Sequence, residues 1–94
     1  MIRKTDRNHK EIMEAIRKIP GTSVFSTHTI GKGFPDIVVG YKGTNYLFEI
    51  KDELKTASQK KLTIAEIAFQ MNWKGQYAIV ENIKQILSIL KIKM

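Results

Sequence analysis

The sequence predicts one α/β domain, a central mixed sheet flanked by helices, with elements in the order α-β-β-β-α-β-α. Three observations lead there. Ninety-four residues suffice for one hydrophobic core and not for two. The apolar share, 43%, is that of a folded chain rather than a disordered one. Apolar residues fall at helical spacing in three stretches and in short β-favouring runs between them. No internal repeat, low-complexity segment or linker interrupts them, so residues 1–94 read as a single domain.

Each element has its own signal. Within residues 8–19, Ile12, Ile16 and Ile19 recur at helical spacing, and Pro20-Gly21 ends the pattern. Residues 23–29, rich in Val, Phe and Thr, read as a strand, and Gly31-Lys32-Gly33 as a loop. Residues 37–41 and 46–50 make a hairpin around Lys42-Gly43-Thr44-Asn45. With Gly43-Thr44 as a two-residue type II′ turn, Asp36 faces Lys51 and Val38 faces Glu49. A charged stretch, residues 51–61, leads into a helix that ends near Trp73-Lys74-Gly75. Thr63 and Glu66 have capping-box spacing, with Leu62 and Ile67 as the matching staple. Residues 76–80 form a short strand, and Asn82 caps a last helix with Ile83, Ile86, Leu87 and Leu90 on one face.

Sixteen lysines and arginines against nine aspartates and glutamates give a formal charge of +7. That balance suits a polyanionic partner, because neutralised phosphates release counterions. The absence of cysteine excludes disulfides and thiolate metal sites. No run approaches the roughly 20 apolar residues of a bilayer span, and residues 1–7 lack the apolar run of a signal peptide. The expectation is a cytoplasmic protein with no membrane partner and no nucleotide cofactor.

The chemistry concentrates in Gly33-Phe34-Pro35-Asp36 and Glu49-Ile50-Lys51. Side chains alternate along a strand, so Glu49 and Lys51 share a face with Leu47, while Phe48 and Ile50 turn to the core. In the register above, Asp36 stands one diagonal step from Glu49; a slip of one residue sends it to the other face. Two carboxylates so close repel unless a cation lies between them. A hard divalent ion wants such oxygens, makes hydroxide from bound water and stabilises charge on phosphorus oxygens. Lys51 beside it positions the attacking water or stabilises the transition state. These residue types make a kit for hydrolysing a phosphodiester. The bland alternative is a salt-bridge cluster on a solvated strand face.

The run from Gly31 to Tyr41, followed by Asn45 through Asp52, resembles the virus-type replication-repair nuclease (VRR-NUC) domain, a branch of the PD-(D/E)XK superfamily. The likeness continues through Leu62-Thr63, Glu66, Phe69, Trp73-Lys74-Gly75 and Val80, and so covers nearly the whole chain. The resemblance implies a restriction-endonuclease-like core and a DNA endonuclease that uses Mg²⁺ or Mn²⁺. It further implies structure-selective cutting of branched DNA, Holliday-junction-like or flap, in phage or mobile-element replication and repair. The product would carry a 5′-phosphate, and the viral members act as homodimers. By the same resemblance, Asp36, Glu49 and the Ile50 backbone carbonyl are metal ligands and Lys51 is the catalytic lysine. The family's first-helix glutamate corresponds to Glu11 or Glu14. Glu11, on the flank of the isoleucine stripe, is the choice, as a ligand directly or through water; Glu14 lies nearly opposite that stripe. Many members carry glutamine where this chain has Glu66, which leaves two roles open, capping the helix or positioning water or metal. The rival from another class is a non-catalytic nucleic-acid-binding module on a degenerate nuclease fold, against which the intact Glu49 and Lys51 argue.

Weaker signals keep their alternatives. The Gly31-Lys32-Gly33 loop brings backbone amides and Lys32 to a phosphate, or is a flexible connection. Lys55, Lys60 and Lys61 line a DNA path, or a solvated loop. His9 and His28 lack metal-ligand spacing and are expected to be surface or packing residues. Trp73 shares a helical face with Leu62 and Phe69 and is expected in the core. On the same helix Ile64 and Met71 make a second apolar line, covered by another subunit or by the last helix.

Overall fold

Period-two and helical patterns sort the chain onto two faces of one sheet. In the computed structural model, which describes residues 6–93, helix α1 (His9–Arg17) buries His9, Ile12, Met13 and Ile16. Strands β1 (Thr22–Ser26), β2 (Ile37–Tyr41), β3 (Thr44–Ile50) and β4 (Gln76–Val80) lie in the spatial order β1-β2-β3-β4. The first three pair antiparallel, whereas β3 and β4 pair parallel. A parallel pair needs a crossover, and helix α2 (Ile64–Asn72) lies in it, after a single 3-10 turn at Ser58–Lys60. Helix α3 (Ile83–Leu90) follows β4. The element order and the mixed sheet are those the sequence predicts.

The core lies on one face. Val24, Ile37, Val39, Phe48, Ile50 and Val80 of the sheet meet Ile12, Met13 and Ile16 of α1 and Ile86 and Leu90 of α3. Each such side chain contributes roughly 1.5–3 kcal/mol on burial, so this face carries most of the stability. The other face carries Leu47, Glu49 and Tyr77, and α2 covers it sparsely, with Glu66 its only buried residue. An aromatic cluster holds α2 there. The Phe69 ring stacks on Trp73 (centroids 5.1 Å apart), meets Phe34 edge-on (5.2 Å) and tilts against Tyr77 (5.8 Å). Trp73 is 42% exposed and closes the margin of this cluster rather than sitting in the core.

Three sequence expectations are corrected. The second element ends at Ser26, not at residue 29, because the Ile30 N–H turns back to the Thr27 carbonyl (3.0 Å). The hairpin turn is Lys42-Gly43, not Gly43-Thr44. Both central residues have positive φ (50° and 78°), as a type I′ turn requires, and Tyr41 pairs with Thr44. The register is therefore displaced by two residues, which preserves the face of every side chain. Finally, α3 packs on the α1 side, so the last helix does not cover Ile64 and Met71, which are 88% and 76% exposed.

The helix caps follow the sequence. Thr63 and Glu66 form the reciprocal capping box, and the Asn82 side chain accepts the Gln85 N–H (3.0 Å). Asn8 has a different task at the start of α1: its Nδ2 donates to the carbonyls of Lys51 (3.2 Å) and Glu81 (2.9 Å), tying α1 to the ends of β3 and β4. Arg7 adds two hydrogen bonds to the Asp52 carboxylate, both 2.9 Å. Among the described residues no helix is long and apolar enough to cross a membrane.

Candidate active site

The hairpin register brings the acidic residues together. Ile37 pairs with Phe48, so Asp36, one residue before β2, stands directly opposite Glu49 on the α2 face. Asp36 is anchored on both sides: its N–H donates to the Phe48 carbonyl (3.0 Å) and its carbonyl accepts the Thr27 N–H (2.8 Å). Its Oδ2 accepts the Ile50 N–H (2.8 Å). The N–H and C=O of one strand residue point to the same side, so the Ile50 carbonyl also leaves β3 beside Asp36.

Lys51 completes the cluster from the end of β3. Its Nζ is 3.5 Å from Glu49 Oε2 and 3.3 Å from Glu66 Oε1. Glu66 takes the capping role, one of the two left open by the sequence. Its Oε1 caps the helix at the Thr63 N–H (2.9 Å) and also reaches the lysine. Gly33 brings that helix turn in. Its φ is +80°, and a Cβ there would fall on the Ala65 carbonyl, so the glycine loop packs on the first turn of α2.

The electrostatics follow from crowding. Burial, then the charges of Asp36 and Glu66, push the Glu49 carboxyl up to about 9, against the pull of Lys51. Burial alone would lower the Lys51 ammonium, but Glu49 and Glu66 outweigh it and the net shift is upward. Burial raises Glu66 too, yet the Thr63 N–H and Lys51 prevail and hold it below the usual carboxylate range. Glu49 is 3% exposed, and its Oε1 is buried with no donor facing it. A proton on Glu49, or a cation, would satisfy that oxygen.

The donor set fits a hard divalent cation: crowded carboxylate oxygens, one of them orphaned, and a backbone carbonyl. Among the described residues no three His, Cys, Asp or Glu side chains close into a full cage. Mg²⁺ does not require one, since it keeps waters and takes one or two carboxylates plus phosphate.

Other candidate residues fall elsewhere. Glu11 is exposed and lines a groove of about 380 Å³ with Arg7, Glu53 and Glu81, and it is not among the charges acting on Glu49. The reason is rotation of the helix. The buried stripe is His9, Ile12, Met13 and Ile16 rather than Ile12, Ile16 and Ile19, which turns Glu11 and Glu14 outward together. Lys55 pairs with Asp6 (2.6 Å) and Lys60 with Glu81 (3.0 Å), while Lys32 and Lys61 are exposed.

Of the α1 residues, His9, expected from the sequence to be a packing or surface residue, is the one that feels the charge of Asp36. It is 6% exposed, and Ser26 Oγ lies 3.3 Å from its Nε2 and 2.7 Å from His28 Nδ1. Burial lowers the His9 pKa, with the Asp36 charge opposing. Its signal was present: position 9 lies three and four residues before Ile12 and Met13 and completes their stripe.

Compared with protein-family models, curated proteins and solved structures, the chain gives no match.

Proposed function

We propose that this chain is a divalent-metal-dependent nuclease that hydrolyses DNA phosphodiesters, of the VRR-NUC type its sequence resembles. The observation that carries the reading is Asp36 set opposite Glu49 with the Lys51 ammonium 3.5 Å away, all on one sheet face. Asp36, Glu49 and the Ile50 carbonyl would hold Mg²⁺ or Mn²⁺. When bound, such an ion supplies Lewis acidity and lowers the pKa of water.

The chain's own residues do the rest. Lys51, with its pKa raised, keeps its proton at neutral pH and so acts as a donor and not as a base. It donates to the attacking water or to the oxygens on which charge develops at phosphorus. Glu66 aims it from the other side (3.3 Å), and is a positioning residue. On the family resemblance, the substrate is branched DNA and the product bears a 5′-phosphate.

The test is cleavage of labelled four-way junctions, flaps and plain duplex with Mg²⁺ or Mn²⁺ by wild type and Lys51→Met. Loss of one transition-state donor is expected to slow cutting by about 10²–10³-fold. Unchanged cutting by the variant, or binding with no metal-dependent cutting at all, overturns the reading.

The protein acts as a homodimer through the exposed line of α2. Ile64 and Met71 there are 88% and 76% exposed and make an apolar line that a second copy would cover. Light scattering at micromolar concentration should give about twice the chain mass, and Met71→Glu about the single mass. A wild-type monomer contradicts this.

A further inference from the structure

The α2 face of the sheet is covered at one end only. One row of side chains crosses all four strands, from Phe25 through Val38 and Leu47 to Tyr77. Phe69 of α2 covers the Tyr77 end. At the β1 end no described residue is packed over this face enough to bury Phe25, which is 70% exposed. Along β2 the same face carries Asp36, Val38 and Gly40 in successive rows about 7 Å apart. Phe25 pairs with Val38, so it lies one diagonal step, about 7–8 Å, from Asp36.

The row beyond is a hollow. Gly40 has no side chain, and Ser23 and Asn45 flank it across the strands. With Lys42 they line a depression of about 290 Å³. The candidate site, an exposed aromatic ring and a polar hollow with Lys42 at its edge therefore lie in neighbouring rows on one face of the sheet. In a chain of charge +7, a strand of phosphates is the complementary occupant.

We propose that Phe25 is a stacking platform for an unpaired base next to the phosphate that a divalent ion on Asp36 and Glu49 would hold. The following nucleotide rests in the Gly40 hollow, with Ser23, Asn45 and Lys42 as its polar partners. The preferred substrate then carries a single-stranded segment at the cut, because a base inside a duplex is stacked on its neighbours and cannot reach a ring on the sheet. The assignment rests on the nuclease reading for its choice of nucleic acid, and deepens it.

The test is binding, measured with Ca²⁺ in place of Mg²⁺, so that the carboxylates are neutralised while cleavage is suppressed. Fluorescence anisotropy with a short labelled oligothymidylate should show tighter binding than with a duplex of equal length. Phe25→Leu, which keeps the apolar surface but removes the ring, should weaken single-strand binding roughly 10- to 100-fold. Phe25→Trp should retain it, and Gly40→Val, which fills the hollow and suits a strand, should weaken it. Equal binding of duplex, an indifferent Phe25→Leu, or a change of oligomeric state in that variant (Phe25 covered by a second copy) overturns the proposal. If the protein cuts DNA but Phe25→Leu has no effect, the platform fails and the nuclease stands. If Phe25-dependent binding is seen without any cutting, the nuclease reading fails and the platform stands.

Discussion

Glu49→Gln is expected to reduce metal-dependent cleavage by about 10²–10³-fold while raising the melting temperature of the metal-free protein. The two effects have one cause. Glu49 is buried opposite Asp36 and beside Glu66, and its folded pKa is raised from 4.5 to about 9. In the unfolded chain it releases its proton near the lower value. The carboxyl's contribution to stability is thus fully present below pH 4.5 and is lost progressively as pH rises to about 9. Glutamine cannot ionise and escapes that loss. Thermal melts in a chelator at pH 5, 7 and 9 should show the variant gaining on wild type at each step. Adding Mg²⁺ should then stabilise wild type, whose carboxylates it neutralises, and leave the variant nearly unmoved. A variant less stable than wild type at pH 9 contradicts the account.

Gly33→Ala should be the most damaging glycine-to-alanine change in the chain. At φ +80° the alanine is strained, and its Cβ meets the Ala65 carbonyl in the first turn of α2. That turn must move, and Glu66 with it, so both the capping box and the 3.3 Å contact to Lys51 are lost. A cost of about 2–4 kcal/mol is expected, or on the order of 10–20 °C in melting temperature for a domain of this size. Gly31→Ala is the control: φ is +79° there as well, but nothing lies within 4 Å of the new Cβ. It should cost about 1 kcal/mol and spare cleavage. Equal effects of the two substitutions would show that packing on α2 is not what Gly33 is for.

The two residues differ only in their surroundings, which marks the boundary of what sequence conveys here. Local periodicity was legible. The element order, the capping box and the sharing of one face by Glu49 and Lys51 all follow from spacing. The turn was misread because Lys42 adopts a left-handed conformation that glycine or asparagine usually takes. The error was harmless, since a displacement of two residues leaves Asp36 on the Glu49 face. The α1 face reads from Ile12, Ile16 and Ile19 alone as leaving Glu11 on its flank; with His9 and Met13 in the buried stripe, Glu11 points outward with Glu14. Contacts between distant segments gave no signal at all. Arg7 with Asp52 and Gly33 with Ala65 arise only once the sheet has formed.

The central claim is that Asp36, Glu49 and Lys51 make one metal-dependent site, and paramagnetic broadening by Mn²⁺ tests it most directly. In amide spectra of the wild-type protein, substoichiometric Mn²⁺ should first broaden Asp36, Glu49, Ile50 and Lys51, with Glu66 next, and Glu49→Gln should abolish the effect. Broadening centred instead on the groove of Glu11, Glu53 and Glu81, or none in any region, would contradict the account.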